Sequence, residues 1–335
     1  MNDKTDNASQ TLIRPFEPGD ELGINILFNA IFSQKRSLRE WIWKFGKRGE
    51  RGIVLVAVDE QGEILAHYSA LKSRFWIYDQ HVHGGHVVDI FSSRDPMVVR
   101  KRTFVKLQRE FYRRFGDEGE YPVFVGFPGT RSERLTKVTG ISNRSHPVTI
   151  WRGHVTSEHG IGKHEGWKVD AKIRIDEVDD LWERAKSRHR FTGVRDGEWI
   201  TQRYFEHPRL SNSYRVLAAR RGVFLRRGEL EAWGVFKATN DGVLWVDLEW
   251  DGRDEVALDA LWREAVKQFC LAQNSRLEIW LDGDPAVEAW LEKRGLRRVD
   301  WPDGPWFAYR VYPACEQLLI DNEKFRITAG DSDIV

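Results

Sequence analysis

Between Arg94 and Arg114 the chain carries Arg94, Arg100, Lys101, Arg102, Lys106, Arg109, Arg113 and Arg114 against only Asp95 and Glu110, in a protein of net charge +1. The positive charge is therefore local, and its neighbours say what it can bind. An apolar run, Val87, Val88, Ile90 and Phe91, precedes it and predicts a buried strand. Phe104, Leu107, Phe111 and Phe115 follow at helical spacing, with Thr103 placed to cap the helix. A strand, a basic loop and a helix N-terminus in succession suit a phosphate or pyrophosphate, because the first helical turn presents free backbone N–H groups and a partial positive charge. A solvated helix face is the competing reading of the same charges. His81, His83 and His86 have metal-ligating side chains, but the run HVHGGH reads first as polar residues around a Gly-Gly hairpin turn, with a metal site as the alternative.

The elements that must position these residues follow from the pattern on either side. A strand within 11–20, helices over Leu22–Phe32 and Leu38–Phe45, and strands Ile53–Val58 and Ile64–Tyr78, the second long enough for a bulge, come before the basic loop. A strand Pro122–Phe127, a short helix ending at Gly140 and a strand His146–Val155 close a first unit. The Gly- and His-rich stretch 154–166 reads as a linker, with His159 and His164 as its solvated residues rather than ligands. A second unit runs through a helix in EWITQRYFEHP and strands at Tyr214–Ala219, Val223–Leu225, Ala232–Ala238 and Val243–Trp250. In the last of these Leu244, Val246 and Leu248 alternate with Asp247 and Glu249. A helix with Leu258, Leu261, Ala265 and Cys270 on one stripe follows, then a strand Leu277–Leu281, a helix ending at Gly295 and a closing strand Phe307–Tyr312.

Composition bounds the function. The 335 residues are 41% hydrophobic and 31% charged, which predicts a globular protein of two domains. No run reaches the length of a membrane span, the polar N-terminus does not read as a signal peptide, and the expected compartment is the cytoplasm. With only Cys270 and Cys315 and no CxxC pair, neither a disulfide framework nor a structural zinc site is indicated. Balanced charge argues against a general nucleic-acid binder. The 15 Trp residues read as core fillers before sugar-stacking platforms.

The two units repeat one order: strand, helices, antiparallel meander, a strand leading into a long helix, a strand, a short helix ending in Gly, and a closing pair. That order resembles the plan of the GNAT acyltransferases. AVEAWLEKRGLRRV and SERLTKVTGISNR are similar to the family's helix–Gly–strand element, and GFPGTRSERL with the GDSD tail resembles bacterial tandem-GNAT proteins of surface-polysaccharide synthesis. The resemblance implies an α+β fold of two tandem lobes, at 11–155 and 167–313 with a tail at 314–335, each a mixed central sheet with a splayed parallel pair flanked by helices. It also implies acetyl-CoA or another acyl-CoA as co-substrate, no metal, and an amine or amino-sugar acceptor.

By the same resemblance Ile90 and Phe91 face the thioester, Arg100, Lys101, Arg102 and Thr103 form the pyrophosphate loop, and Ser132 and Leu135 lie near the pantetheine arm. The family's loop glycines are missing from VVRKRT, and the matching turn of the second unit, WDGRDEVAL, is acidic, so the first lobe is the expected cofactor lobe. Thr136 and Leu291 stand where the family often has a Tyr acid. For amine acylation Asp89 is the first candidate base, its alternative being a strand-end carboxylate bonded to nearby backbone. Asp247 and Glu249 are candidate acceptor contacts or a solvent-facing strand surface. The alternative function is a non-catalytic pseudo-acyltransferase that binds a glycan or a protein partner; a transferase using charged tRNA is a third.

Overall fold

The computed structural model describes residues 11–155, 166–222, 228–269, 275–301, 304–320 and 324–333; His159, His164, Cys270 and the expected strand Val223–Leu225 lie outside them. The first half runs β1 (Leu12–Pro15), α1 (Asp20–Phe32), α2 (Leu38–Phe45), β2 (Gly52–Val58), β3 (Ile64–Ile77), β4 (Gln80–Ser92), α3 (Pro96–Arg100), α4 (Thr103–Tyr112), β5 (Val123–Gly126), α5 (Thr130–Thr139), β6 (Arg144–Pro147) and β7 (Ile150–Val155). The second runs β8 (Trp167–Asp170), α6 (Ile175–Ala185), β9 (Phe191–Gly193), α7 (Gly197–Ile200), β10 (Tyr214–Arg221), β11 (Leu230–Thr239), β12 (Gly242–Trp250), α8 (Val256–Phe269), β13 (Ser275–Asp282), α9 (Pro285–Lys293), β14 (Arg297–Val299), β15 (Trp306–Val311), α10 (Gln317–Ile320) and β16 (Ile327–Thr328).

Two mixed sheets of eight strands result. The first has the order β1-β2-β3-β4-β5-β15-β6 with β9 along β3; the second has β14-β7-β13-β12-β11-β10-β8 with β16 along β13. A parallel pair lies within each, β4 with β5 and β12 with β13. The expected single strand His146–Val155 is instead two. Pro147 ends β6 in the first sheet, and β7 crosses to pair with β13 and β14 in the second. Proline has no N–H to continue a ladder, so the chain is free to change sheets there. In return β15 enters the first sheet between β5 and β6. Each half thus supplies a strand inside the other's sheet.

The sheets share one core. Phe75, Val125 and Phe127 of the first pack in a single cluster with Leu181 of α6, with Val235, Val246 and Trp280 of the second, and with Phe325 and Ile327 near the C-terminus. The far face of the first sheet is covered by α4 through Leu107 and Phe111, and that of the second by α8 through Leu258 and Leu261. Trp41, Trp151, Trp233, Trp245 and Trp290 are fully buried in this packing, so none of the five is a sugar platform.

Gly84 and Gly85 do not form the expected turn. The β3–β4 hairpin turns at Tyr78 and Asp79, both with positive φ, and the glycines sit inside β4. A Cβ at Gly84 would come 2.5 Å from the Val123 carbonyl oxygen, so glycine here lets β4 and β5 approach. His81 and His83 are exposed on the hairpin while His86 turns inward. Among the described residues no three His, Cys, Asp or Glu side chains are grouped to hold a metal ion, and no helix is long and apolar enough to cross a membrane.

Candidate functional site

The first sheet opens where its parallel pair ends. β4 and β5 pair from Gly85 with Phe124 to Val87 with Gly126 and then separate. At that level the β3–β4 register shifts: Ser69 pairs Val88 and His67 pairs Phe91, which leaves Asp89 and Ile90 opposite Tyr68. This is a β-bulge, and Asp89 adopts φ 49, a left-handed conformation that costs a non-glycine residue about 1–3 kcal/mol.

Neighbouring side chains hold it. His67 is buried with its ring stacked on Phe91 at 4.9 Å, and its Nδ1 lies 2.6 Å from the Asp89 carbonyl oxygen. Burial lowers the His67 pKa to about 4, so the ring is neutral and Nδ1–H is the donor. The Asp89 carboxylate pairs with Arg36 Nη1 and, at 2.8 Å, with Lys44 Nζ. Burial pushes the Asp89 pKa up, but the charges of Lys44 and Arg36 outweigh it and hold the carboxyl at about 2. Asp89, the expected base, thus has both carboxylate oxygens on cations and is held ionised.

Lys44 also reaches the other end of the chain, with Nζ 3.0 Å from Asp333 Oδ2. Burial would lower its pKa, yet Asp89 and Asp333 raise it, so the ammonium is firmly charged. Both cations are placed by local signals. Ser37 and Glu40 form a capping box that starts α2 and points Lys44 inward, and Asn25 and Asn29 of α1 hold the Arg36 backbone at 2.8 Å. His86 lies on the same side, edge-on to Phe127 at 5.9 Å; burial lowers its pKa to about 4, within the fields of Asp333, Lys44, Arg203 and Asp89.

The basic loop lies between β4 and β5 in the chain. Asp95 caps α3 through the Met97 N–H at 2.7 Å, and Arg102, at φ 52, precedes α4, whose start has no side-chain cap. Thr103 is therefore not the expected cap: it is the first helical residue and is buried, where its hydroxyl cannot reach the N–H groups one turn on. Arg113 is paired with Glu110 and Glu118 and Arg114 with Glu110, whereas Arg100 and Arg102 are exposed and have no ion pair among the described residues. Lys101 and Ser132 are half-buried, and Leu135 is exposed on α5. Ile90 is thus on the bulge and Phe91 next to it where pairing resumes, Arg100–Thr103 on the α3–α4 junction, and Ser132 and Leu135 on the helix after β5.

The second sheet differs at the equivalent place. β12 and β13 pair from Gly242 with Arg276 to Trp245 with Ile279, and β16 then pairs with β13 at Leu281 and Asp282. Asp247 and Glu249, expected to meet an acceptor, are wholly buried and hold this C-terminal segment instead. Asp247 Oδ1 accepts from Arg195 Nε at 2.9 Å and Thr328 Oγ1 at 2.8 Å; Oδ2 accepts from the Tyr204 hydroxyl at 2.8 Å. Glu249 faces His189 at 3.2 Å and Arg326 at 3.5 Å. Burial raises both carboxyl pKa values, but the charges of Arg195 and Arg326 bring them below the ordinary range. A Cβ at Gly330 would lie 2.6 Å from Asp247 Oδ2, so the segment leaves no room beside it. The acidic turn after β12 is also tied down, with Asp254 on Arg221 at 2.8 Å and Glu255 on Lys293 at 3.0 Å.

Arg36, Lys44, His67 and Arg195 are the residues that spacing did not single out. Each is isolated in sequence and acquires meaning only from a partner far along the chain.

No protein-family model and no curated protein matches the sequence. Solved structures do. A probable N-acyltransferase of Enterococcus faecalis superposes with a TM-score of 0.69 at 8% identity over 93% of this chain and 75% of that one. The N-myristoyltransferase of Saccharomyces cerevisiae with bound myristoyl-CoA gives 0.53 at 12% identity over 90% and 84%. A tandem GNAT protein from the clavulanic acid pathway gives 0.50 at 11% identity over 90% and 98%. Identities this low speak to architecture alone. With its two mixed eight-stranded sheets, each splayed at a central parallel pair, the chain has the tandem GNAT fold.

Proposed function

We propose that the chain is an acyl-CoA-dependent N-acyltransferase in which the first sheet takes the donor and the acceptor is an amine. The observation that carries this reading is the asymmetry of the two splayed pairs. Among the described residues no strand enters between the ends of β4 and β5, whereas the segment from Phe325 to Asp331 fills that position in the second sheet. Bound acyl-CoA would supply the activated acyl thioester. The chain's own part is to bind and orient it. A bulge takes a residue off the ladder, so the backbone at Asp89 and Ile90 is free to turn an N–H toward a thioester oxygen, beside Phe91. Arg100, Lys101 and Arg102 with the uncapped first turn of α4, including the Thr103 N–H, suit a pyrophosphate. Ser132 and Leu135 on α5 are the groups for the pantetheine arm.

Asp89, with both carboxylate oxygens paired, acts in this reading as the support of the bulge. The ammonium's proton therefore goes to solvent and not to Asp89 before the amine attacks, and a thiolate leaves without an acid, which suits Thr136 and Leu291 at the places where a Tyr is absent. An amino sugar is one acceptor of the amine class. Calorimetric titration with acetyl-CoA tests the reading. One micromolar site per chain, weakened about tenfold by Arg100→Ala or Arg102→Ala, is expected for a lost charged contact. No binding at millimolar acetyl-CoA would overturn it and favour the non-catalytic glycan- or partner-binding alternative.

A further inference from the structure

We infer that the acceptor is a zwitterionic amine, one bearing a carboxylate near its amino group, and that Arg36 Nη2 receives that carboxylate. This rests on the reading that the first sheet is the transfer site. The Arg36 side chain is only 8% exposed, and its guanidinium lies 3.6 Å over the Phe28 ring. Nη1 is on Asp89 and Nε donates to Asn25 Oδ1 at 2.7 Å, but Nη2 is buried with no hydrogen-bond partner among the described residues. A buried guanidinium donor left without an acceptor is costly and rare. The Phe28 contact and two fixed bonds hold the guanidinium plane still, so the remaining edge is a preorganised donor, and the oxygen ligand a guanidinium edge fits best is a carboxylate.

The charges around it select the rest of the ligand. Arg36, Asp89, Lys44 and Asp333 form an alternating row, two cations and two anions. A zwitterion adds no net charge to such a row, whereas an amine without a carboxylate adds an unbalanced cation beside Lys44. Asp333, whose side chain is 26% exposed against 4% for Asp89, is the carboxylate of the row open to a ligand amino group. The site thus prefers amino-acid-like acceptors, and an amino sugar without an acid group is a weak ligand.

Matched pairs decide it. The full-length protein is titrated calorimetrically with β-alanine and ethylamine, γ-aminobutyrate and propylamine, phenylalanine and phenethylamine, lysine and cadaverine, and muramic acid and glucosamine. At least one acid is expected to bind tenfold or more tighter than its carboxylate-free partner, the discrimination a satisfied polar contact provides. Arg36→Lys, which keeps the charge but not the second Nη edge, is expected to erase that difference. Equal binding within every pair, or a preference that survives Arg36→Lys, overturns the inference; the first comparison needs no variant to fold. A parallel acetyl-CoA titration without acceptor separates the two ideas. Failure there removes the acyl-transfer reading whatever the acids do, and success there with no acid preference removes only this inference.

Discussion

Thr328 Oγ1 donates to Asp247 Oδ1 at 2.8 Å, and this bond ties the last strand of the chain into the opening of its second sheet. Asp89 occupies the corresponding strand position of the first sheet, where its oxygens are held by the cations Arg36 and Lys44 instead of by a strand. The same fold position is therefore closed in one lobe and braced in the other.

If the C-terminal segment is structural, loosening that bond must weaken the whole protein. Thr328→Val keeps the shape and deprives a buried carboxylate of one donor, for a loss of about 1–3 kcal/mol. Denaturant unfolding checks this. An unchanged midpoint would mean that β16 is only lightly held.

Asp89→Asn tests whether the carboxylate is a brace or a base. Asparagine tolerates the left-handed conformation, but the change leaves the buried Arg36 charge without its carboxylate and Lys44 with Asp333 alone, so stability should fall by about 3–5 kcal/mol. Under the amine-acylation reading, the residual rate should keep the same shape of pH profile as the parent. A lost limb of that profile would restore Asp89 as the base.

Acid sensitivity follows from two histidines. His67 and His86 are buried and neutral, with pKa values near 4 against an ordinary 6.5. Below pH 6.5 the unfolded chain takes up protons that the folded chain refuses. Stability is thus full above about pH 6.5 and falls as pH drops toward 4, by on the order of 3 kcal/mol for each histidine. Unfolding curves at pH 7.5 and 5 measure it, and His67→Gln should flatten the slope. A flat profile in the parent would show that the two rings are not buried neutral.

Gly84→Ala probes the approach of β4 to β5. The added methyl would sit 2.5 Å from a backbone oxygen that cannot rotate away. A loss of about 1–3 kcal/mol is expected, as for other overpacked sites. Because Gly84 lies just before the splay, acetyl-CoA binding should weaken as well if the first sheet is the donor site. A fully stable variant would show that the strands part more easily than their pairing suggests.

Much of the architecture was legible in one dimension. The helix Leu38–Phe45 lies where periodicity placed it, because Ser37 and Glu40 make a local start signal and Gly46 a local stop. The repeated element order that resembles the GNAT plan is likewise local information, since each strand and helix carries its own spacing. Where two readings shared one pattern, sequence could not choose. The Gly-Gly pair fits a turn or a close strand crossing, and only the Val123 carbonyl oxygen beside it decides for the second.

What the chain determined by itself, then, was the kind and order of its elements and the location of its positive charge, because these depend on neighbours within a turn or two. What tertiary structure decided was which charges are spent and which are available. Asp247 and Glu249 alternate like a solvent-facing strand, yet Arg195 and Arg326 meet them inside the core. Asp89 reads as a strand-end carboxylate until Arg36 of the α1–α2 loop and Lys44 of α2 converge on it, with Asp333 of the C-terminal segment on the far side of Lys44. The exchange of β7 and β15 was invisible for the same reason: strand pairing is a contact between distant segments, and alternation along one strand does not say which partner it will find.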